Sequence, residues 1–245
     1  MTTRIRKAVA VAVLLPGLLA VSACSSDKDT DGAKNEKASP TAESSPTSPA
    51  AKASAEAKRI GALDPQKLKT ATLSGKSGGY EFKQVSEADA EAGLDMKADK
   101  AECQPLASLA GGYTHIPAVS VEHRSLEPSE AKNATVGSMW LASHSEKNAK
   151  QVMSDLRTSL EKCPKGFKTL GLTYKDAKRL KDPALGDEAV GYRITMTVAK
   201  KSVPMTYTVV RKDGVIAAFY GVNMLTPEKS AIPEATIKAQ LAKLS

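Results

Sequence analysis

An apolar stripe at helical spacing is the clearest pattern in this chain of 245 residues. Apolar side chains recur mostly three or four positions apart between residues 149 and 163, which places them along one face of a helix. Ser145 can cap the first turn of this helix, and Pro164 prevents its continuation. The pattern predicts a helix from Glu146 to Lys162 whose inner face contains Ala149, Val152, Met153, Leu156, Leu160 and Cys163.

Alternation of apolar and polar residues predicts three consecutive strands in the C-terminal part of the chain. Residues 190–198 alternate as expected for an antiparallel strand with one buried face. A turn at 200–202 leads into a second strand over 203–211. Lys212-Asp213-Gly214 is a strong hairpin signal, and it precedes a third strand over 215–224. The three strands form a predicted meander.

Shorter patterns complete the predicted fold. Short helices are expected over 100–110, where Gly111-Gly112 ends the pattern, and near 233–244. Helices set among antiparallel strands indicate an α+β fold, in which helices pack on one or both faces of a mainly antiparallel sheet. Residues 60–245 are expected to form this single domain. The remaining predicted strands cover 80–84, 120–125 and 135–141.

The N-terminus has the three parts of a bacterial secretory signal over residues 1–23. Basic residues precede an apolar run at 8–21, which is too short to span a bilayer as a stable helix. The run ends at Val21-Ser22-Ala23-Cys24, which resembles the lipobox of bacterial lipoproteins. We therefore expect a diacylglyceryl anchor and palmitate on Cys24, which would hold the protein at the extracytoplasmic face of the cell membrane. An ordinary signal peptide followed by a chance cysteine is the alternative.

The segment after Cys24 is predicted to be a disordered tether. Residues 25–59 contain no Leu, Val, Ile or aromatic residue and are rich in Ser, Ala and Pro. Such a composition cannot bury enough apolar surface to offset the entropy of ordering. The tether over 24–59 would hold the folded domain clear of the membrane.

Two further cysteines, Cys103 and Cys163, remain in the mature chain. An exported protein meets an oxidising compartment, in which a pair of thiols favours one disulfide. This bond would join the short helix at 100–110 to the end of the long one. Buried free thiols are an alternative. A metal pair is disfavoured, because neither cysteine has a second Cys or a His at zinc-ligand spacing.

Charge and aromatic content argue against a nucleic-acid partner. Of 35 basic and 27 acidic residues, three basic ones lie in the export signal, and the mature chain therefore carries only a small positive excess. Aromatic residues make up 4% of the chain, too few for a stacking platform. A basic stretch is interrupted by two aspartates and is expected to be a solvated face rather than a contact to anionic lipid or wall polymer; it comprises Lys175, Lys178, Arg179 and Lys181.

One short motif matches the G-x-S-x-G pattern of serine hydrolases. Ser77 is its central residue, in Gly75-Lys76-Ser77-Gly78-Gly79. A nucleophile of this kind requires a preceding strand and a following helix, whereas the strand-like segment 80–82 follows here. We expect a loop at Ser77, with an envelope hydrolase as a distant alternative.

Other titratable residues also show no catalytic or metal-binding arrangement. His115, His123 and His144 have no metal-ligand spacing. The acidic residues Asp182, Asp187 and Glu188 are expected to be solvated charges of a turn. The sequence therefore predicts no enzyme, no metal and no cofactor.

Several short segments together resemble the actinobacterial lipoproteins and kinase ectodomains of the PknH-like extracellular sensor domain family. The resemblance implies an α+β sandwich with a cleft for an extracytoplasmic ligand, and it supplies no catalytic residues. Family members on kinases typically contain two disulfides, whereas this chain can form one and has no kinase domain. The segments are 63–68, 79–80, 101–106, the helix from Ala149 that ends at Cys163, 185–190 and 209–211.

These observations favour a non-enzymatic, membrane-anchored ligand-binding or sensor-accessory module. Its binding site is expected in a cleft between the sheet and a helix, lined by strand faces such as those of Tyr192 or Tyr207. The expected partner is an unknown small molecule or lipid, or an envelope protein. Two alternatives remain open: a carrier of lipid or other apolar cargo, and a protein-interaction module of the cell envelope.

Overall fold

Six α-helices and nine β-strands are present in residues 48–244, the part of the chain that the computed structural model describes. The expected signal, Cys24 and the tether up to residue 47 lie outside the described residues. The helices are α1 (Pro49–Ile60), α2 (Pro65–Ala71), α3 (Glu87–Glu91), α4 (Gln104–Ala110), α5 (Glu146–Lys162) and α6 (Glu234–Leu241). Short 3-10 turns cover Ala101–Cys103, Pro227–Lys229 and Ala242–Leu244.

All nine strands belong to one antiparallel sheet with the order β1-β2-β3-β4-β9-β8-β7-β6-β5. The predicted meander is present as β7, β8 and β9, and the expected α+β class is confirmed. The strands are β1 (Gly75–Ser77), β2 (Tyr80–Gln84), β3 (Ser120–Pro128), β4 (Val136–Ser143), β5 (Phe167–Thr169), β6 (Leu172–Arg179), β7 (Glu188–Val198), β8 (Lys201–Lys212) and β9 (Val215–Val222).

Helices cover both faces of this sheet, and a separate core lies on each side. Neighbouring residues of β4 belong to opposite cores, as strand geometry requires: Trp140 packs with α4 and α5, whereas Met139 packs with α2 and α6. Among the described residues, every strand belongs to the one sheet, and residues 63–244 form both cores. The segment from Ser48 onward therefore includes all of these described strands and core residues.

Helix α5 has the bounds that its apolar stripe predicts. The Ser145 hydroxyl accepts a hydrogen bond from the Asn148 backbone N–H at 3.3 Å and caps the first turn. The apolar stripe is buried, with Val152, Met153 and Leu156 each at most 1% exposed. Burial of this face fixes α5 on the sheet, and it places the C-terminal Cys163 beside the start of α4.

Helix α1 covers residues that the sequence predicts to be disordered. The Ser48 hydroxyl accepts a hydrogen bond from the Ala51 backbone N–H at 3.1 Å, Pro49 occupies the first turn, and Gly61 ends the helix with a φ of 72°. Alanine, the strongest helix former, occupies much of the segment, and Ala57 is buried. The structure differs from the expectation here because capping and propensity order a segment that lacks large apolar residues.

Candidate functional site

The strand tyrosines that were expected to line a cleft are buried in the core. Tyr192 and Tyr207 are each 1% exposed, and their rings stack with centroids 4.7 Å apart. Burial raises the pKa of both phenols well above the usual value. The prediction of a cleft at these residues is wrong, because α5 packs over this face of β7 and β8 and leaves no open wall.

A pocket of about 700 Å³ lies instead between the α3–α4 connection, α4 and the segment that leads into β3. Its volume is in the range of small-molecule sites. Its apolar wall is formed by Leu94, Ala98, Ala101, Pro117, Ala118 and Val121. Its polar side chains are Lys97, Gln104, Ser108, Tyr113, Thr114 and His115.

Direct backbone contact between two glycines fixes one wall of this pocket. A Cβ atom built on Gly93 would lie 1.8 Å from the carbonyl oxygen of Gly111, and one built on Gly111 would lie 2.2 Å from the carbonyl oxygen of Gly93. No side chain fits at either position. The turn after α3, which contributes Gly93 and Leu94 to the pocket, is therefore packed closely against the end of α4.

The disulfide between Cys103 and Cys163 ties the start of α4 to the end of α5. The two Cα atoms are 5.8 Å apart, and both cysteines are buried in the core. The expected bond is confirmed. It lies beside a second pocket of about 260 Å³ between α4 and α5, lined in part by Glu102, Pro105 and Lys162.

His115 lies between the two pockets and contributes to the lining of both. Its Nε2 is 2.8 Å from the Asp155 carboxylate on α5, and the other oxygen of that carboxylate accepts a 2.8 Å hydrogen bond from Gln151. The His115 side chain is 16% exposed. Asp155 therefore fixes the imidazole in a wall that a ligand in either pocket would touch.

Most other polar atoms of the larger pocket are already used by the protein. The Gln104 amide oxygen accepts from the Ala98 N–H, and its nitrogen donates to the Met96 carbonyl and to the Ser108 hydroxyl, all at 2.9–3.0 Å. The Tyr113 hydroxyl donates to the Ala90 carbonyl at 2.9 Å. These polar side chains are therefore hydrogen-bonded within the protein, and they stabilise the shape of the pocket.

Among the described residues, two hydrogen-bond donors of this lining remain for a ligand. Lys97 is exposed at the pocket and takes part in none of the ion pairs between described residues. The Ser108 hydroxyl accepts from Gln104 and retains its own proton for a further acceptor. One cation and one hydroxyl donor are thus available over an otherwise apolar wall.

The Thr114 side chain connects the pocket to a buried histidine behind it. Its hydroxyl donates to the Ile116 carbonyl at 2.8 Å and lies 3.1 Å from His144 Nε2. Burial, and secondarily the nearby His115, lowers the pKa of His144 to about 4. His123 binds the Gly112 carbonyl at 2.8 Å, and burial lowers its pKa as well.

The catalytic motifs of the sequence are not assembled in the described part of the chain. Ser77 pairs with Tyr80 in the β1–β2 hairpin, whose turn is Gly78-Gly79, and no helix follows. The strand-to-helix turn of a nucleophile elbow is therefore missing at Ser77. Within residues 48–244, no cluster of three or more His, Cys, Asp or Glu side chains could hold a metal ion.

The acidic residues near 182–188 bind arginines rather than water alone. Asp182 pairs with Arg179 at 2.5 Å. Arg211, 9% exposed, donates to Asp187 at 2.9 Å and to Glu188 at 2.6 Å. Arg157 on α5 donates to the other oxygen of Glu188 at 2.7 Å. Residue spacing could not predict the contacts of Glu188, because Arg157 and Arg211 are 31 and 23 positions away from it in the sequence.

Comparison with known proteins gives a weak structural likeness and no match in sequence. No family model and no curated protein matches this chain. A solved structure, the extracellular domain of PknH from Mycobacterium tuberculosis, is similar with a TM-score of 0.40 and 10% sequence identity, over 74% of this chain and 94% of that chain. No described helix is long and apolar enough to cross a bilayer. This likeness is weak and does not show that the chain belongs to the family that its sequence resembles.

Proposed function

We propose that this protein is an extracytoplasmic lipoprotein whose folded domain binds a small ligand in the pocket beside His115, as a binding or sensor-accessory module rather than an enzyme. The main support is the pocket itself. Its volume is about 700 Å³, its walls are held by the Gly93–Gly111 contact and by internal hydrogen bonds, and its lining leaves few polar atoms unused.

The available groups define the chemistry of the ligand. The wall from Leu94 to Val121 is mostly apolar and suits a hydrocarbon or ring body. Lys97 provides a cation, and the Ser108 hydroxyl provides a hydrogen-bond donor. We infer a small amphiphilic acid with an apolar body, a carboxylate or similar anion, and one further acceptor.

Two observations support a location outside the cytoplasm. The Cys103–Cys163 bond is of the kind that persists in oxidising compartments. The N-terminal sequence contains the features of a lipoprotein signal before Cys24. Metabolic labelling with an alkyne fatty acid tests the anchor: the full chain should incorporate the label, and the Cys24→Ser variant should not.

An anionic fluorescent probe tests the pocket. We expect 8-anilinonaphthalene-1-sulfonate to bind the folded chain from Ser48 onward at one saturable site. Ala101 is exposed and lines both pockets, so Ala101→Phe should place a ring in the pocket space without disturbing the core and should strongly weaken binding. Lys97→Gln should weaken binding by up to about fivefold, because an exposed ion pair contributes at most about 1 kcal/mol.

A matched control separates the pocket from general surface binding. Ala55→Phe places the same side chain on an exposed position of α1 and should leave probe binding unchanged. Equal probe binding by the Ala101→Phe and Ala55→Phe variants would contradict the proposed site.

A further inference from the structure

Exposed apolar side chains concentrate at one end of the sheet. Of the six large apolar side chains exposed among the described residues, five lie there. Strand register places them at the same end. Val136 pairs with Val222, which also pairs with Met205 of β8, and β8 continues from there to the β7–β8 turn. Thr173, beside the β5–β6 turn, pairs with Thr197, beside the β7–β8 turn. We call this end the rim; its exposed apolar residues are Val136, Leu170, Val198, Met224 and Leu225.

Two hairpin turns of the rim hold residues that do not suit their backbone conformation. Leu170 and Gly171 have φ values of 46° and 76°, and Ala199 and Lys200 have φ values of 48° and 65°. Two-residue turns with both φ values positive favour Asn-Gly. A left-handed conformation costs an ordinary residue about 1–2 kcal/mol, and Leu170 is also 63% exposed. Turn stability therefore does not explain a leucine at this tip.

The third apolar tip of the rim is held by a buried amide. Asn223, 5% exposed, donates to the Thr135 hydroxyl at 3.0 Å. Its side-chain oxygen accepts the backbone N–H groups of Leu225 and Thr226 at 3.1 and 2.8 Å. The loop is thus hydrogen-bonded in a conformation that leaves Leu225 83% exposed.

Positive charge accompanies the apolar tip at the β7–β8 turn. Lys200 and Lys201 are exposed at the β7–β8 turn and take part in no ion pair between described residues. Lys168 is exposed on the neighbouring β5, where Asp99 accepts its backbone N–H at 2.8 Å. Glu130, close to the same end, is paired with Lys132 at 3.0 Å. The β7–β8 tip therefore combines an exposed valine with two free ammonium groups.

We propose that the rim docks on the surface of an anionic phospholipid bilayer. Apolar side chains on separate turns, interleaved with lysines, match the interfacial region of a membrane, where hydrocarbon and phosphate lie within a few ångströms. Leu170, Val198 and Leu225 enter the headgroup region, and Lys200 and Lys201 meet the phosphates. A protein partner would bind more favourably to one continuous apolar face. This contact does not depend on the pocket. It would bring the domain onto the membrane surface, whereas the predicted tether would hold the domain clear of it.

Vesicle co-sedimentation tests the contact on the chain from Ser48 to Ser245, without the lipid anchor. We expect binding to vesicles of phosphatidylcholine with phosphatidylglycerol and little binding to pure phosphatidylcholine. Each lysine near an anionic surface contributes about 1 kcal/mol, so Lys200→Gln with Lys201→Gln should weaken binding about thirtyfold. Leu170→Asn should weaken binding while stabilising its turn, since Asn accepts the left-handed conformation. Loss of binding in this variant therefore would not reflect unfolding.

A matched substitution provides the control. Lys147→Gln with Lys181→Gln removes two exposed lysines that also take part in no ion pair between described residues, and it should leave vesicle binding within about twofold of the unaltered chain. Any one of three results overturns the proposal: no binding to phosphatidylglycerol vesicles, equal binding by the rim and control variants, or a concentration-dependent dimer that Leu170→Asn dissolves. Ala101→Phe should not change vesicle binding, which separates this contact from the proposed ligand site.

Discussion

The buried ring of His144 lies 3.1 Å from the hydroxyl of Thr114, a residue that lines the pocket. The single proton of this hydroxyl is donated to the Ile116 carbonyl, so His144 Nε2 must be the donor in their contact. The neutral Nε2–H tautomer satisfies this arrangement. His144 is 1% exposed, and the low pKa caused by burial agrees with a neutral ring.

The first prediction concerns the pH dependence of stability. His144 has a pKa of about 4 in the folded chain against 6.5 when exposed. The unfolded chain therefore binds the extra proton first, and the free energy of unfolding should fall as the pH decreases from about 6.5 to 4. His144 should account for a loss of about 3 kcal/mol over this window, and His123 contributes in the same direction.

Denaturant titrations at several pH values measure this loss. His144→Gln retains a nitrogen donor for Thr114 and cannot be protonated, so the decrease of stability between pH 6.5 and 4.5 should become shallower. An unchanged slope in this variant would contradict the assignment of the loss to His144.

The second prediction concerns the glycine contact beside the pocket. Gly93→Ala would place a methyl group 1.8 Å from the Gly111 carbonyl oxygen, and the backbone must move apart. We expect the free energy of unfolding to fall by about 2 kcal/mol and probe binding in the pocket to weaken. Gly171→Ala is a control: nothing lies within 4 Å of its added Cβ, although its φ of 76° causes some strain. It should leave probe binding intact, and equal loss of binding in both variants would argue against the role of the contact.

The third prediction concerns the disulfide. The bond closes a loop of 60 positions, and the chain-entropy model gives it about 4 kcal/mol. Replacing both cysteines, Cys103→Ala with Cys163→Ala, should lower the free energy of unfolding by about 2–5 kcal/mol. Urea titration of the oxidised chain and of this double variant measures the difference. A difference below about 0.5 kcal/mol would show that the contacts between α4 and α5 suffice without the bond.

The fourth prediction concerns Glu188, which accepts hydrogen bonds from Arg211 and Arg157. Burial raises the pKa of this carboxyl, but the two arginines outweigh burial and the net pKa is lowered from 4.5. The stabilisation is therefore present above pH 4.5 and is lost as the pH falls through the lower folded value.

Substitutions at neutral pH test how much the same network contributes to the free energy of unfolding. Glu188→Gln should destabilise the fold by about 1–3 kcal/mol, because it leaves charged partners poorly satisfied. Glu130→Gln removes an exposed pair with Lys132, away from Arg211 and Arg157, and should cost less than about 0.5 kcal/mol. Equal effects of the two substitutions in thermal or chemical unfolding would contradict a special role for Glu188.

Periodic patterns in the sequence were sufficient for the regular, half-buried elements. Helix α5 and the β7–β8–β9 meander follow their predicted bounds closely, because one face of each is buried and its apolar residues repeat at the period of the backbone. Strand β6 was not predicted. Its register shifts between Lys175 and Lys178, and Asp176 has a φ of 55°, so the bulge breaks the alternation.

The candidate site could not be predicted from the sequence, for a different reason. Its walls come from short polar helices and from a backbone contact between Gly93 and Gly111, neither of which leaves a periodic signal. Tyr192 and Tyr207 looked like an accessible strand face, but α5 packs on it. Only the disulfide could be inferred directly, from a pair of cysteines in an exported chain.

Native mass spectrometry tests the ligand pocket most directly. The chain from Ser48 to Ser245 would be secreted by a bacterial host and weighed without denaturation. We predict an additional mass of one small amphiphilic acid, which is lost on denaturation and absent from the Ala101→Phe variant but present in Ala55→Phe. An unliganded mass for the unaltered chain, even after incubation with an extract of the host envelope, would contradict the account.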